Sequence, residues 1–455
     1  MRSTAEEVIW YDGAEGSPAS HGRTLEVPRR GAPGWVTPFA ERGQAWLPGM
    51  PTPLVPAEPS EREGLVPMAA FSGRRSLLPL SGEAAPLTAE LLAGKLRAVA
   101  AEQPVARLRL AGDVAPVLAL ARRLAADLPL LPAAADLAED ARALARPEQC
   151  RPRRQGPPDL GGARRVEDAL AAAMGYLLGV MLIQAPLCRA QAGPEGVHQM
   201  RVALRRLRSV LRVFRPAVRC DAVRAFDDGL QALARLLGTA RDLDVFLRGI
   251  GAKVAAALPG ERRIAQLLRA VEARRVAAYA ALRTELDGPG FRALVLDGLA
   301  LILERPWQAE AAQAPDQAEV LAEPLAEFAA ALLDKRWHKL CAEGEEIRRL
   351  DDAALHELRL MAKRLRYAAE LFAPLWPGKA GRRFLKRLAA LQEELGLAND
   401  VVVARGLVAG LGTAAPAWAA GAVEGFAAAR GTGARRRSLE AWEDLRVAKT
   451  FWSDV

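Results

Sequence analysis

The sequence predicts a mainly α-helical protein, two related up-down helical bundles preceded by a small α+β region. Three observations predict it. Residues 198–215 repeat their apolar positions with the period of a helix. The same pattern returns later in the chain at a constant offset. Between residues 1–146 and the rest, the stretch 147–163 is crowded with Pro, Gly and Arg, and the composition changes across it.

Within 198–215, at about 100° per residue, Leu204, Leu207, Val210, Leu211 and Phe214 share one face, which reads as an ordinary buried side. Arg201, Arg205, Arg208, Arg212 and Arg215 form a narrow stripe opposite, with His198 at its edge and no Asp or Glu within it. Like charges one helical turn apart repel by a few tenths of a kcal/mol, so a solvated face normally mixes signs. A stripe of one sign points to an anionic partner.

The second occurrence is His356, Arg359, Lys363, Arg364, Arg366 and Tyr367, matching His198, Arg201, Arg205, Arg206, Arg208 and Ser209 at an offset of 158 residues (356 against 198). The match continues without a gap. Leu230, Leu233, Leu237, Gly238, Asp242 and Val245 correspond to Leu388, Leu391, Leu395, Gly396, Asp400 and Val403. The chain from 164 onward therefore reads as two versions of one helical unit, about 164–258 and 319–409, joined by helices over 261–304.

These stretches resemble the CHAD family, an all-helical domain named for its histidines. The resemblance rests on His198-x-x-Arg201-Val202-x-x-Arg205-Arg206-Leu207-Arg208 and on Leu237-Gly238-x-x-Arg241-Asp242-x-Asp244-Val245. It rests equally on His356-x-x-Arg359-x-x-x-Lys363-Arg364-Leu365-Arg366-Tyr367 and on Ala441-Trp442 through Ala448-Lys449-x-Phe451-Trp452. It implies a helical domain over 164–452, made of two pseudo-symmetric four-helix bundles around a basic groove. It also implies binding of inorganic polyphosphate, and so association with polyphosphate granules in a cell that makes them.

Charge is distributed unevenly. Residues 1–150 hold 16 Lys and Arg against 18 Asp and Glu, and the remainder holds 47 against 36, so the net charge of +9 belongs to the helical repeat. Aromatic residues make up only 5% of the chain, which argues against a single-strand nucleic-acid binder that needs stacking platforms. Cys150, Cys188, Cys220 and Cys341 lack metal-ligand spacing and read as reduced thiols of a cytoplasmic protein. Met1-Arg2-Ser3 leads into acidic residues, unlike a signal peptide. The most apolar segment, Met174 to Cys188, reads as a buried core helix too short to span a bilayer.

Taken in order, the Pro-rich residues 1–85 leave room for short strands at Val8–Tyr11, Thr24–Val27 and Arg75–Pro79, with 40–66 poorly ordered. Thr88–Val99 reads as a helix, Val105–Leu110 as a strand, Val114–Ala126 as a helix, and Ala133–Ala145 as another helix or a strand ending. Val105 to Pro132 resembles the tail of a CYTH domain, the triphosphate-tunnel fold. Members that hydrolyse triphosphates carry Glu-x-Glu-x-Lys on the first strand. Here the N-terminus offers only Glu6-Glu7-Val8-Ile9-Trp10, so the region is expected to be a degenerate, non-catalytic relative without a metal site or cofactor. The linker and the segregated charge predict that residues 1–150 can be removed without loss of polyanion binding.

After the linker, helices are expected at 164–189, 195–215, 221–237 and 242–258, then 261–286 and 291–304. The second half should place them at 319–341, 352–372, 380–395 and 400–409, with a last one within 423–448. Asp242, Asp244 and Asp400 read as structural. Asp242 and Asp400 follow Gly238 and Gly396 by four residues, as a helix break and N-cap would, and they could also orient Arg side chains.

Arginine offers a planar fork for two phosphate oxygens and stays charged at ordinary pH. The candidate polyphosphate ligands are His198, Arg201, Arg205, Arg206, Arg208, Arg212, His356, Arg359, Lys363, Arg364, Arg366 and Lys386. A second tier is Arg215, Lys335, Arg336, Lys339 and Arg387. Arg206 and Arg364 match the motif but fall off the stripe and could instead face a neighbouring helix. His198 and His356 lie near helix N-termini, where an anion is favoured, although a lone His is more often structural. Arg205, Arg208, Lys363 and Arg366 are expected to be exposed and to converge on one groove. Three other functions stay open at this point: an enzyme acting on triphosphate or polyphosphate, a nucleic-acid binder, and a scaffold for an acidic protein.

Overall fold

The computed structural model describes residues 2–13, 24–36, 54–80, 87–146, 156–160, 162–431 and 433–453. Side chains are described for all of these but 59, 79, 352, 397–402, 430–431 and 434. Most of the linker, Cys150, and 40–53 of the stretch expected to be poorly ordered lie outside the described residues. The chain divides into two compact units.

The first unit, Met1–Gln155 with Leu178–Ile183 and Asp287–Arg305, is built on one antiparallel sheet. Its strands are β1 (Arg2–Gly13), β2 (Thr24–Pro28), β3 (Gly34–Val36), β4 (Leu54–Pro56), β5 (Leu65–Leu80), β6 (Leu87–Ala98) and β7 (Glu102–Ala111), in the order β4-β3-β2-β1-β5-β6-β7. Trp10, Phe71 and Leu96 form the core beneath α2 (Leu137–Ala145), which contributes Ala138 and Ala141. Helix α1 (Val114–Asp127) follows β7.

The segment expected to be a helix at 88–99 is strand β6. Its Leu, Ala, Glu and Lys content favours a helix locally, but pairing with β5 on one side and β7 on the other overrides that preference. Gly94 faces Gly73 across the β5–β6 pair, and a Cβ on either would lie within 3 Å of the other strand's backbone. The close approach at this pair therefore requires both glycines.

Helix α8 (Pro289–Glu304) belongs to this unit, although the sequence places it between the repeat halves. Leu296 and Leu299 pack against Ala125 of α1. The buried Arg292 donates to the carbonyl oxygens of Ala125 (2.6 Å) and Ala126 (3.4 Å), filling acceptors at the end of α1. Removal of residues 1–150 would therefore uncover Leu296, Leu299 and Arg292, so the N-terminal region is less separable than its linker suggests.

The second unit, Gly156–Leu177, Gln184–Leu286 and Pro306–Val455, is helical. Its elements are α3 (Val166–Gln184, shared with the first unit), α4 (Glu195–Val213), α5 (Asp221–Phe246), α6 (Ala252–Ala257), α7 (Arg262–Asp287), α9 (Trp307–Ala311), α10 (Pro315–Ala322), α11 (Leu325–Glu345), α12 (Asp352–Phe372), α13 (Lys379–Ala409), α14 (Ala417–Gly431) and α15 (Ala434–Arg446). The helix beginning with α3, Val166–Leu187, has 22 residues and is long and apolar enough to cross a membrane, contrary to the length read from the apolar segment alone. Of its apolar 18-residue stretch, 78% is buried within the protein.

The breaks expected at Gly238 and Gly396 do not occur. Helices α5 and α13 run through them, and α5 continues through a π-turn at Leu247–Gly251 into α6. A glycine costs a helix interior about 1 kcal/mol. Around Gly238, Leu233, Leu237, Ala240 and Leu243 are buried and outweigh that cost. Asp242 is accordingly an interior residue of α5, not an N-cap. Asp400 lies in α13, and its side chain is outside the described residues. Pro324 instead divides the helix expected over 319–341 into α10 and α11.

Aromatic and backbone contacts join the repeat halves. Phe214 and Phe372, which are 158 residues apart, meet edge-to-face at 5.9 Å, with Phe328 stacked on Phe214 at 5.6 Å. Leu325 donates its N–H to the Arg164 carbonyl at 2.9 Å, beside a bridge between Arg165 and Pro324. The C-terminus is fastened by Trp452, whose indole donates to Asp334 at 2.7 Å, and by Trp442, whose ring fills the space a Cβ on Gly344 would need.

Candidate functional site

Helices α4 and α12 carry the two matched motifs. In α4, Met200, Leu204, Leu207, Val210 and Leu211 are buried at helical spacing, which fixes the rotation of the helix and turns the arginine stripe away from the core. In α12, Leu358, Ala362, Leu365, Ala368 and Ala369 do the same. Asp351 caps its start by accepting from the Ala354 N–H at 2.8 Å.

The stripe splits into two kinds of cation. Arg208 is held by Asp227, at 2.6 Å from Nε to Oδ1, and by Gln231 at 3.2 Å. Arg366 is held by Glu370 at 2.7 Å. Arg206 faces neighbouring structure, donating to the Gly156 carbonyl at 2.6 Å and to Glu370 at 3.4 Å. All three are half-buried frame residues.

The other kind gathers around Lys363. Burial pushes this amine down to about 8, and the strongest charges acting on it, Arg205, Arg201, Arg359 and Arg212, are all cationic. Two of them, Arg201 and Arg359, are repeat equivalents, as are Arg205 and Lys363 themselves, so both halves supply one cluster. Burial also pushes Arg205 down; Tyr367, 6.0 Å from its guanidinium carbon, pulls the other way, and Arg201, Arg206 and Arg366 push it further down. Arg212 is lowered by burial and then by Arg208, with Asp227 opposing and Arg364 reinforcing. The structural cations behave oppositely: Arg75, between Glu6 and Glu90, and Arg275, on Asp244, are raised by their carboxylates despite burial.

The Nε atoms of Arg205 and Arg359 are buried and have no hydrogen-bond partner among the described residues. Such orphaned donors are uncommon in a folded interior and suit an acceptor-rich ligand. Gly396 lies beside this arrangement, where a Cβ would stand in ordinary contact, 3.7 Å, with Arg359 Nη2.

The remaining expected ligands are scattered around the cluster. His198 is half-buried and His356 exposed, both in the first turns of their helices. Arg364 is exposed, and its carbonyl accepts from Arg336 at 2.7 Å. Burial and then Arg364 push Arg336 down to about 10. Arg212 and Arg215 line a cavity of about 570 Å³ with Arg219, Arg224, Asp227 and Glu310. Lys335, Lys339 and Lys386 are exposed and Arg387 half-buried, and none is among the strongest charges acting on Lys363. The expectation that Arg205, Arg208, Lys363 and Arg366 are exposed is corrected: all four are half-buried, because their aliphatic stems and neighbouring helices cover them.

A family model described as "CHAD domain" matches residues 172–409, just over half of the chain. The chain belongs to the CHAD domain family. Among solved structures, the CHAD domain from the plant Ricinus communis is 29% identical over 66% of this chain and 96% of its own, with a TM-score of 0.53. PptA from Streptomyces chartreusis is 16% identical over 62% of this chain and 100% of its own, with a TM-score of 0.42. No curated protein matches.

Within this CHAD domain, sequence reasoning missed the carboxylates that divide the stripe. Glu370 stands where the first half has Arg212, so a sign reversal at one repeat position marks it. Asp227 has no such signal, because it comes from a different helix. Asp244 is buried and accepts from Arg275 at 2.6 Å and from the Tyr279 hydroxyl at 2.7 Å, tying α5 to α7. It holds Arg275, which is not among the cations acting most strongly on Lys363. Among the described residues, no group of three or more His, Cys, Asp or Glu could hold a metal ion.

Proposed function

We propose that the protein binds inorganic polyphosphate without turning it over, along a path formed by Arg201, Arg205, Arg212, Arg359 and Lys363. One observation carries the reading. Five cations from both repeat halves crowd together, and burial opposes the charge of three of them, Lys363, Arg205 and Arg212. A fold keeps such an arrangement against its own electrostatics when a polyanion relieves it. Residues one helical turn apart are about 5.4 Å apart, which suits successive phosphates of an extended chain. Membership of the CHAD family supports the same reading, as does the +11 net charge of residues 151–455 (47 against 36). Arg206, Arg208 and Arg366 frame the path. The N-terminal unit is a non-catalytic companion: Glu6, on its first strand, is engaged by Arg75 at 2.9 Å. In a cell that makes polyphosphate granules, the protein would associate with them in the cytoplasm.

The test is titration with polyphosphate of defined length at fixed salt. Arg201→Glu with Arg205→Glu should weaken binding by at least about tenfold, since each charge-assisted hydrogen bond contributes about 1.5–3 kcal/mol. Arg2→Glu with Arg109→Glu, exposed in the first unit, should change it little. Equal losses from both pairs would mean diffuse attraction. Duplex DNA competing as well as polyphosphate, at equal phosphate concentration, would favour a nucleic-acid binder. Metal-dependent phosphate release would favour an enzyme.

A further inference from the structure

The chain contains eight lysines, and seven of them are exposed; Lys363 alone is half-buried. Accessibility by itself would make it the least reactive amine of the set. Its surroundings argue the reverse. Arg359 lies one turn before it on the same helix, and Arg205 of α4 holds its guanidinium carbon 6.0 Å from the ring of Tyr367, one turn after it. Arg201 and Arg212 are the other cations that act most strongly on the amine. On the flanking helices, α11 places Arg336 on the Arg364 carbonyl, and α13 places Gln392 beside Arg366 at 3.4 Å. The charges acting most strongly on this amine are thus all cationic, and two of them have a buried Nε lacking an acceptor, while Glu370, a carboxylate on its own helix, is engaged by Arg366.

We propose that Lys363 is a site of acylation by small acyl phosphates, whose phosphoryl group the surrounding guanidinium groups hold while the lysine ε-amine attacks the adjoining carbonyl carbon. This rests on the reading that the cluster receives phosphoryl oxygens. An acyl phosphate carries its charge one oxygen away from the carbon under attack. Holding the phosphoryl group therefore sets the carbonyl beside the amine. In the step itself, the nitrogen lone pair forms the N–C bond. The bond between the acyl carbon and the phosphate oxygen breaks, and inorganic phosphate leaves with that electron pair. The proton lost from nitrogen passes to water. The guanidinium groups stabilise the charge on the leaving phosphate. The amine also loses its proton more readily than an ordinary lysine, because burial and its four arginine neighbours push it down to about 8. The product is a neutral amide in the middle of the polyanion path, so acylation would lower polyphosphate affinity. The site would report the supply of activated acyl groups by surrendering a charge.

The experiment treats the full chain with acetyl phosphate between pH 6.5 and 9.5 and follows each lysine by peptide mass spectrometry. Lys363 should be modified on the order of tenfold faster than exposed Lys335, Lys339, Lys379 and Lys386, with a half-maximal rate near pH 8. Arg359→Ala should slow modification at Lys363 and leave the exposed lysines unaffected. Acetic anhydride, which has no phosphoryl group, should show no such preference for Lys363. A rate at Lys363 no higher than at the exposed lysines, or the same preference with acetic anhydride, would overturn the proposal. Polyphosphate titration of the same samples separates the two readings. Binding without modification at Lys363 sinks the acylation alone, and modification without polyphosphate binding sinks the proposed function alone.

Discussion

Lys363→Met separates what the cation cluster does for binding from what it does to the fold. The amine is pushed from 10.5 down to about 8, so keeping it charged at pH 7 costs the folded state roughly 3 kcal/mol. Methionine is unbranched, similar in length and uncharged, and it adapts well to an irregular site. The variant should therefore melt several degrees higher than the wild type at pH 7, at roughly 2 °C per kcal/mol for a chain of this size. The sign of the pH dependence follows from linkage. The unfolded chain holds the Lys363 proton more tightly than the folded one between about pH 8 and 10.5, so wild-type stability from this group rises across that window. The variant's advantage should be complete below about pH 8 and gone above about 10.5. Its affinity for polyphosphate should fall by about tenfold or more, through loss of one charge-assisted contact. Calorimetric melting at several pH values and titration at fixed salt measure both quantities. A variant that melts below the wild type at pH 7, or that binds as tightly, would refute the reasoning.

Arg208→Ala should behave differently, because its guanidinium serves Asp227. Urea unfolding should show a loss of about 1–2 kcal/mol, while polyphosphate affinity changes less than about threefold. Asp244→Ala should be the most damaging of these substitutions, at about 3–5 kcal/mol, since it strands Arg275 and the Tyr279 hydroxyl in a buried setting; the same denaturant series measures it. Gly238→Ala should stabilise by about 0.5–1 kcal/mol, because an added Cβ meets nothing within 4 Å and α5 is unbroken there. A destabilised Gly238→Ala protein would restore the helix break that the sequence suggests.

The helical unit was legible because its signals are periodic. The buried face of α4 and the 158-residue correspondence survive in the sequence whatever the neighbours do, and Leu204, Leu207, Val210, Leu211 and Phe214 are all buried. Signals carried by a single residue or a local preference failed. Gly238 suggested a stop, but the flanking leucines bury enough surface to carry the helix through it. The run from Thr88 to Val99 is locally helical in composition, yet hydrogen bonding to two neighbouring strands decides its conformation. In the candidate site, one stripe of like residues divided into held and unheld cations according to carboxylates on other elements. Asp227 lies on α5, and Glu370 lies beyond the motif on α12. Nothing in the spacing of the arginines records which of them those carboxylates reach. The burial of Lys363 was equally invisible, because it depends on how α4 lies against α12.

The contact between Phe214 and Phe372 has a further meaning. Two residues at equivalent repeat positions touch there, as they would beside a two-fold axis relating the halves, and the Arg165–Pro324 bridge is close to the same condition, its members 159 residues apart (324 against 165). This is the geometry of an isologous subunit interface, in which each partner presents the same patch to the other. A free-standing half of this domain would carry that patch uncovered and would find its complement in a second molecule of itself. With such an axis the present chain would be a homodimer written as one polypeptide, with the link between its subunits made covalent. Covalent linkage allows what a true homodimer forbids: Glu370 and Arg212 occupy one position with opposite charges. The two ends of the cluster need not be alike, and a symmetric polyanion can therefore meet an asymmetric host.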